Sequence, residues 1–269
     1  MVGSKNFTEQ DLLGELVARW IERTTTIPVR RRLHLGGTFI CHRALRAGQI
    51  DLYVEYTGTA LTAILNRPPI GDPDSVRRMV RREYSERFGL VWLPPLGFEN
   101  TFAILVRRTT ADSLNLRTLS DVARVASRLT PGFGYEFMER EDGFAGLSRA
   151  YGLEFGGSPK LMDLQLTYRA LASGEVDLIA GNSTDGQIDA LDLTMLRDDR
   201  SYFPPYEAAP VVRAETLRRF PSLRDALEAL AGRIDTREMT RLNRQVDVDG
   251  RDYRQVAHEW VEERLKESS

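Results

Sequence analysis

Two polar loops carry the side chains best suited to holding a small molecule. Tyr56-Thr57-Gly58-Thr59 and Asn182-Ser183-Thr184-Asp185 each follow the same preamble, RALRAGQIDLYVE at 43–55 and RALASGEVDLIAG at 169–181. Phenol, hydroxyl, amide and carboxylate groups can orient a polar ligand through several hydrogen bonds. Lys5, in the loop Ser4-Lys5-Asn6 ahead of an amphipathic run, adds a full positive charge to a helix N-terminus, where anionic groups are stabilised; the alternative is a solvated lysine. Lysine occurs only at Lys5, Lys160 and Lys266, so it is the more telling cation in a chain otherwise rich in Arg. Taken alone, Tyr56 and Tyr206 read as half-buried tyrosines, and Arg140, within Glu139-Arg140-Glu141-Asp142, as part of a solvated charged run.

Little else in the chain points to bond-breaking chemistry. The three histidines, His34, His42 and His258, form no metal-ligand spacing, and G-x-S-x-G, P-loop and G-x-G-x-x-G patterns are absent. The expectation is therefore a binding protein and not an enzyme, with no cofactor and no metal. A net charge of −2 and no basic tract interleaved with aromatics argue against nucleic acid as a partner. Cys41 stands alone, which rules out an intrachain disulfide and suits a small buried filler.

The repeated preamble has the form of a helix end, a Gly able to take positive φ, a short strand and a polar loop. One helix-turn-strand unit used twice implies an α/β protein with two similar lobes. Ligands of such sheets sit beyond the carboxyl ends of the strands, so the two loops are expected to face one cleft. Thr8 reads as the N-cap of a first helix. Strands are expected at 29–35, 50–56, 90–95 and 101–106, with helices at 38–47, 74–88, 119–126 and 144–151 and a loop at 132–141. Lobe one is expected to comprise 1–106 and 207–269, and lobe two 107–206. The chain would cross twice between them, near 101–106 and 208–212, and the last three helices would pack on lobe one. Two crossings without a Gly/Ser-rich linker make a hinge, with domain closure as its motion.

Five motifs in order, SKNFTEQ, AL-x-x-G-x-I-D-L-Y-x-E-Y-T-G-T, E-F-x-x-R-x-D-G at 136–143, S-T-D-G at 183–186 and F-P-P-Y at 203–206, resemble one family. It comprises the solute-binding proteins of ABC importers for glycine betaine, choline and carnitine, including versions fused to a permease. The resemblance implies a two-lobed type II periplasmic-binding fold and a monomer outside the cytoplasmic membrane. It also implies partnership with an ABC permease and its ATPase, and membrane association only through that permease or an anchor outside this sequence. A box of tyrosines holds the trimethylammonium group in that family. The corresponding positions here are Tyr56, Phe102, Asn182 and Tyr206. A quaternary ammonium has no N–H to donate, so aromatic faces bind it at about 0.5 to 2 kcal/mol each; the missing face at Asn182 should then cost roughly tenfold in affinity for a simple betaine. Lys5, Thr59 and Arg140 would meet the ligand's anionic end, and Asn100 would add polar contacts. Thr59, where choline-preferring relatives tend to carry an acidic residue, leans the reading toward a zwitterion. Asn182 keeps open a different cargo such as ergothioneine, or another organic zwitterion or cation. A sensory ligand-binding domain on the same fold is a further alternative.

Overall fold

The computed structural model describes residues 1–267. Ten short strands form two five-stranded sheets of the same plan. The first contains β1 (Val2–Gly3), β2 (Arg31–Arg32), β3 (Leu52–Tyr56), β4 (Leu90–Trp92) and β10 (Ala208–Arg213), in the order β2-β1-β3-β10-β4. The second contains β5 (Phe102–Arg107), β6 (Pro131–Phe133), β7 (Lys160–Leu161), β8 (Leu178–Asn182) and β9 (Leu193–Met195), in the order β7-β6-β8-β5-β9. In each, four strands run the same way and one antiparallel strand, β10 or β5, is inserted between the strand of the repeated unit and the edge strand β4 or β9.

The repeated unit folds the same way twice. Gly48 and Gly174 both take positive φ, 72° and 80°. Their N–H groups donate to Leu45 and Leu171, while those of Gln49 and Glu175 donate to Ala44 and Ala170. Without a Cβ, glycine makes this left-handed turn at little cost, and the chain leaves it directly into a strand. Both strands are apolar on both faces. Leu52 and Val54 enter one core and Tyr53 the other, as Leu178 and Ala180 enter one and Ile179 the other. Double-sided burial is what strands covered by helices on both faces require.

Several expected elements differ. The strand expected at 29–35 is paired only at Arg31–Arg32, because its neighbour offers just Val2–Gly3 and His34 turns to φ 59°. Thr8 is not a capping residue: the helix Thr8–Thr24 has Phe7 at its N-cap, and the Thr8 hydroxyl donates to Asp247 at 2.6 Å. The segment 132–141, expected as a loop, contains the end of β6 and the helix Tyr135–Glu139, whose turn is centred on the buried Phe137. The change of sheet falls between Trp92 and Phe102, ahead of the division expected after residue 106, since β5 pairs wholly within the second sheet. The chain returns between Met195 and Ala208. Helices Ser222–Glu228, Thr236–Asp247 and Tyr253–Glu267 share a core with Thr8–Thr24, where Trp20 and Trp260 lie 6.4 Å apart. No helix among the described residues is long and apolar enough to cross a membrane.

Candidate functional site

The carboxyl ends of β3 and β8 open on a cleft of about 1160 Å³ between the sheets. Lys5, Tyr56, Thr59, Asn100, Phe102, Arg140, Asn182 and Tyr206 all line it. Trp20, Trp92 and Trp260 are buried elsewhere.

The aromatic rings converge through local necessity. Tyr56 ends β3 opposite Ala208, and Asn182 ends β8 opposite Phe102, so the repeat sets these four positions by register. Tyr206 packs onto Gly58, where a Cβ would lie 2.7 Å from the ring; the Gly of Thr57-Gly58-Thr59 is thus needed for the tyrosine to reach the cleft. Phe102 stands edge-on to Tyr206 with centroids 6.0 Å apart and is backed by Phe137 at 4.8 Å. Each tyrosine hydroxyl donates to a buried carboxylate, Tyr56 to Glu9 at 2.6 Å and Tyr206 to Asp142 at 2.6 Å. Burial first, and then the neighbouring carboxylate, hold both phenols well above their usual pKa. A phenol polarised by an anionic acceptor presents a more electron-rich face to a cation. These rings already carry cations of the chain itself: the Lys5 ammonium lies 4.7 Å from the Tyr56 centroid, and the Arg140 guanidinium 4.8 Å from that of Phe102.

Lys5 and Arg140 are built into ion networks. Lys5 Nζ donates to Glu55 at 2.6 Å and to the Thr38 hydroxyl at 3.1 Å. Arg140 is buried, contrary to its appearance as part of a solvated run; it clamps Asp142 with Nε at 2.8 Å and Nη2 at 2.6 Å, and Nη1 donates to Thr59 at 3.1 Å. Glu136 joins the two halves, accepting from Thr38 at 2.7 Å and from Arg140 at 3.3 Å. Burial would raise its pKa, but the charges of Lys5 and Arg140 outweigh that and hold the carboxyl below its usual value. Opposing effects of the same kind, burial against Arg140, lower that of Asp142. The cations at this end are thus already neutralised by carboxylates of the chain.

Asn182 is held within its own loop. Its backbone N–H donates to Asp185 at 3.0 Å and its side-chain amide approaches the same carboxylate at 3.3 Å, while the Tyr168 hydroxyl donates to it as well. Burial, with the charges of Glu9 and Asp247 adding to it, raises the Asp185 pKa to about 7 despite those donors.

Glu9, Thr38, Glu55, Glu136 and Asp142 escaped sequence reasoning as site residues. All but Thr38 lie inside the motifs quoted above, so the signal was present. What was missing was the pairing, because Lys5 and Glu55 lie 50 residues apart in the chain. Among the described residues no group of His, Cys, Asp and Glu could hold a metal ion.

Residues 1–263 match the family described as the substrate binding domain of ABC-type glycine betaine transport systems. The chain is 36% identical over 265 residues to the carnitine transport binding protein of Listeria monocytogenes, covering 97% of this chain and 85% of that one. It is 35% identical over 263 residues, 97% of its length, to an ergothioneine transport permease and binding protein of Helicobacter pylori, of which it spans 47%. The crystal structure of a glycine betaine/carnitine/choline ABC transporter protein superposes with a TM-score of 0.77 at 34% identity, covering 97% of each chain. Two sheets of one plan, a cleft at their strand ends and these likenesses lead to the same conclusion: the chain belongs to the family of substrate-binding domains of ABC-type glycine betaine transport systems.

Proposed function

We propose that this chain captures a small organic zwitterion or cation of the betaine class in the cleft, on the outer side of the cytoplasmic membrane. It acts as a monomer and delivers the solute to an ABC permease driven by its ATPase. The observation that carries this reading is the convergence of Tyr56, Phe102 and Tyr206 on one cleft, with Lys5, Thr59 and Arg140 lining the same cleft. The rings receive the cationic head, and Lys5, Thr59 and Arg140 receive the anionic end, Arg140 by re-partnering from Glu136. We take the lobes to be 1–101 with 207–267, and 102–206, closing about the two crossings. Closure excludes water and strengthens every charged contact inside.

Asn182 supports a second cargo. A polar side chain at one box position, in a cleft of about 1160 Å³, suits a bulkier zwitterion with hydrogen-bonding groups, such as the solute named for the Helicobacter relative. Calorimetric titration of refolded, ligand-free protein with glycine betaine, choline, carnitine, proline betaine and ergothioneine separates the two. Micromolar binding of a simple betaine supports the first cargo and binding of ergothioneine alone the second. If Tyr56→Ala and Tyr206→Ala both leave the affinity unchanged, the cleft is not the site.

A further inference from the structure

Glu9 is 1% exposed and forms no ion pair among the described residues. A buried carboxylate without a cation persists only where hydrogen bonds replace its water, and an ionised carboxylate offers about four lone-pair positions. All four are filled. Oε1 accepts from the Tyr56 hydroxyl at 2.6 Å and Asn100 Nδ2 at 2.9 Å; Oε2 accepts from Asn243 Nδ2 at 2.8 Å and from the Thr184 hydroxyl. The first turn of the helix Thr8–Thr24 adds its positive end.

The donors come from four separate parts of the chain. Tyr56 ends β3, and Asn100 lies in the first crossing between the sheets. Thr184 belongs to the loop after β8 in the second sheet, and Asn243 to the helix Thr236–Asp247. That helix touches the Thr184 loop independently: Asn243 Nδ2 also donates to the Thr184 carbonyl at 3.0 Å, and Gly186 lies so close to Arg244 that a Cβ would meet its Cα at 2.5 Å.

We infer that Glu9 is a positioning residue: one carboxylate fastens the second-sheet loop to the first-sheet helices at the hinge and, through the Tyr56 hydroxyl, sets the ring that the ligand meets. The part concerning Tyr56 rests on the binding role proposed for the cleft; the fastening of the loop does not. Glu9→Gln removes the charge and keeps the shape; its amide N–H can be received by the Tyr56 or Thr184 hydroxyl only by reversing that bond, and it opposes the amide donor of Asn100 or Asn243 on the same side, so at least one of the four contacts is lost.

The test has two arms. In ligand-free protein, native-state amide hydrogen exchange in 183–186 and in the helix Thr236–Asp247 should speed up by roughly tenfold in Glu9→Gln, with the helix Leu119–Ala123 unaffected. Unchanged exchange at 183–186 overturns the fastening role. If Glu9→Gln fails to fold, Thr184→Val removes one donor and must speed exchange in the same loop for the inference to stand. In the second arm, with glycine betaine as probe, Glu9→Gln and Tyr56→Phe should each weaken binding, and the double variant no more than the weaker single one. Losses that multiply would show that Glu9 does not act through Tyr56. Wild-type protein that fails to bind glycine betaine counts against this cargo and this use of Tyr56, while the exchange arm still decides the loop.

Discussion

The two copies of the repeated unit share a backbone and differ in where their polar atoms go. In the first, Glu55 points into the lobe and holds Lys5, Tyr56 gives its ring to the cleft wall, and Thr59 meets Arg140 from the other sheet. The positions in register in the second are Gly181, Asn182 and Asp185. Gly181 leaves room for the Tyr168 ring, whose oxygen would lie 2.1 Å from a Cβ there, and Asp185 gathers Tyr168 and Asn182. At these three positions one copy reaches outward to the facing lobe while the other is bound to itself, its contacts with the first lobe running instead through Thr184 and Gly186. A backbone unit can thus be duplicated with its turn and strand intact, and the division of labour across a cleft set by about three side chains at the strand end.

The contrast is broken hardest in the first copy. Glu55→Gln leaves the Lys5 ammonium buried with no carboxylate in contact, and a loss of about 3 to 5 kcal/mol in unfolding free energy is expected from urea denaturation. Gly181→Ala should cost about 1 to 3 kcal/mol, because the new methyl displaces Tyr168. Asn182→Tyr makes the second copy resemble the first. Glycine betaine should then bind roughly tenfold tighter by calorimetry if a missing face is what distinguishes them, and the natural cargo should weaken if the amide recognises it. Gly48→Ala and Gly174→Ala each place a side chain at positive φ, at about 1 kcal/mol; the first should cost more, since its Cβ would meet Arg213 Nη1 at 2.1 Å, against 4.0 Å to Arg107 Nη1 in the second.

The smallest effect is in pH dependence. Asp185 has its pKa raised from 3.8 to about 7, chiefly by burial, so between those values the native state holds the extra proton and this group's contribution to stability falls as pH rises. His42, in register with Tyr168, is lowered from 6.5 to about 4 by burial, then by Arg46 and Arg87. There the unfolded state holds the extra proton, so its contribution grows as pH rises. The slopes oppose. Urea midpoints should rise more steeply with pH across this window in Asp185→Asn than in wild type, and less steeply in His42→Leu.

The repeat, its positive-φ glycines and the strands they launch were legible because each depends on contacts within a few residues: a helix end, a glycine, an apolar run. The eight residues expected at the site were named from the family resemblance; register accounts for Tyr56, Phe102 and Asn182, while loops and the helix Tyr135–Glu139 carry the others to the cleft. Thr8, the brief pairing at Arg31–Arg32 and the helix Tyr135–Glu139 were not legible, since a partner distant in the chain decides each. The ion networks show the same division. Sequence alone determined that charged and aromatic residues stand at the strand ends of two matching lobes. Only the tertiary structure decided that Lys5 meets Glu55, Arg140 meets Asp142 and Glu9 collects four donors. Local periodicity specifies which face a residue occupies, whereas the partner of a buried charge is whichever group the fold carries within about 3 Å of it.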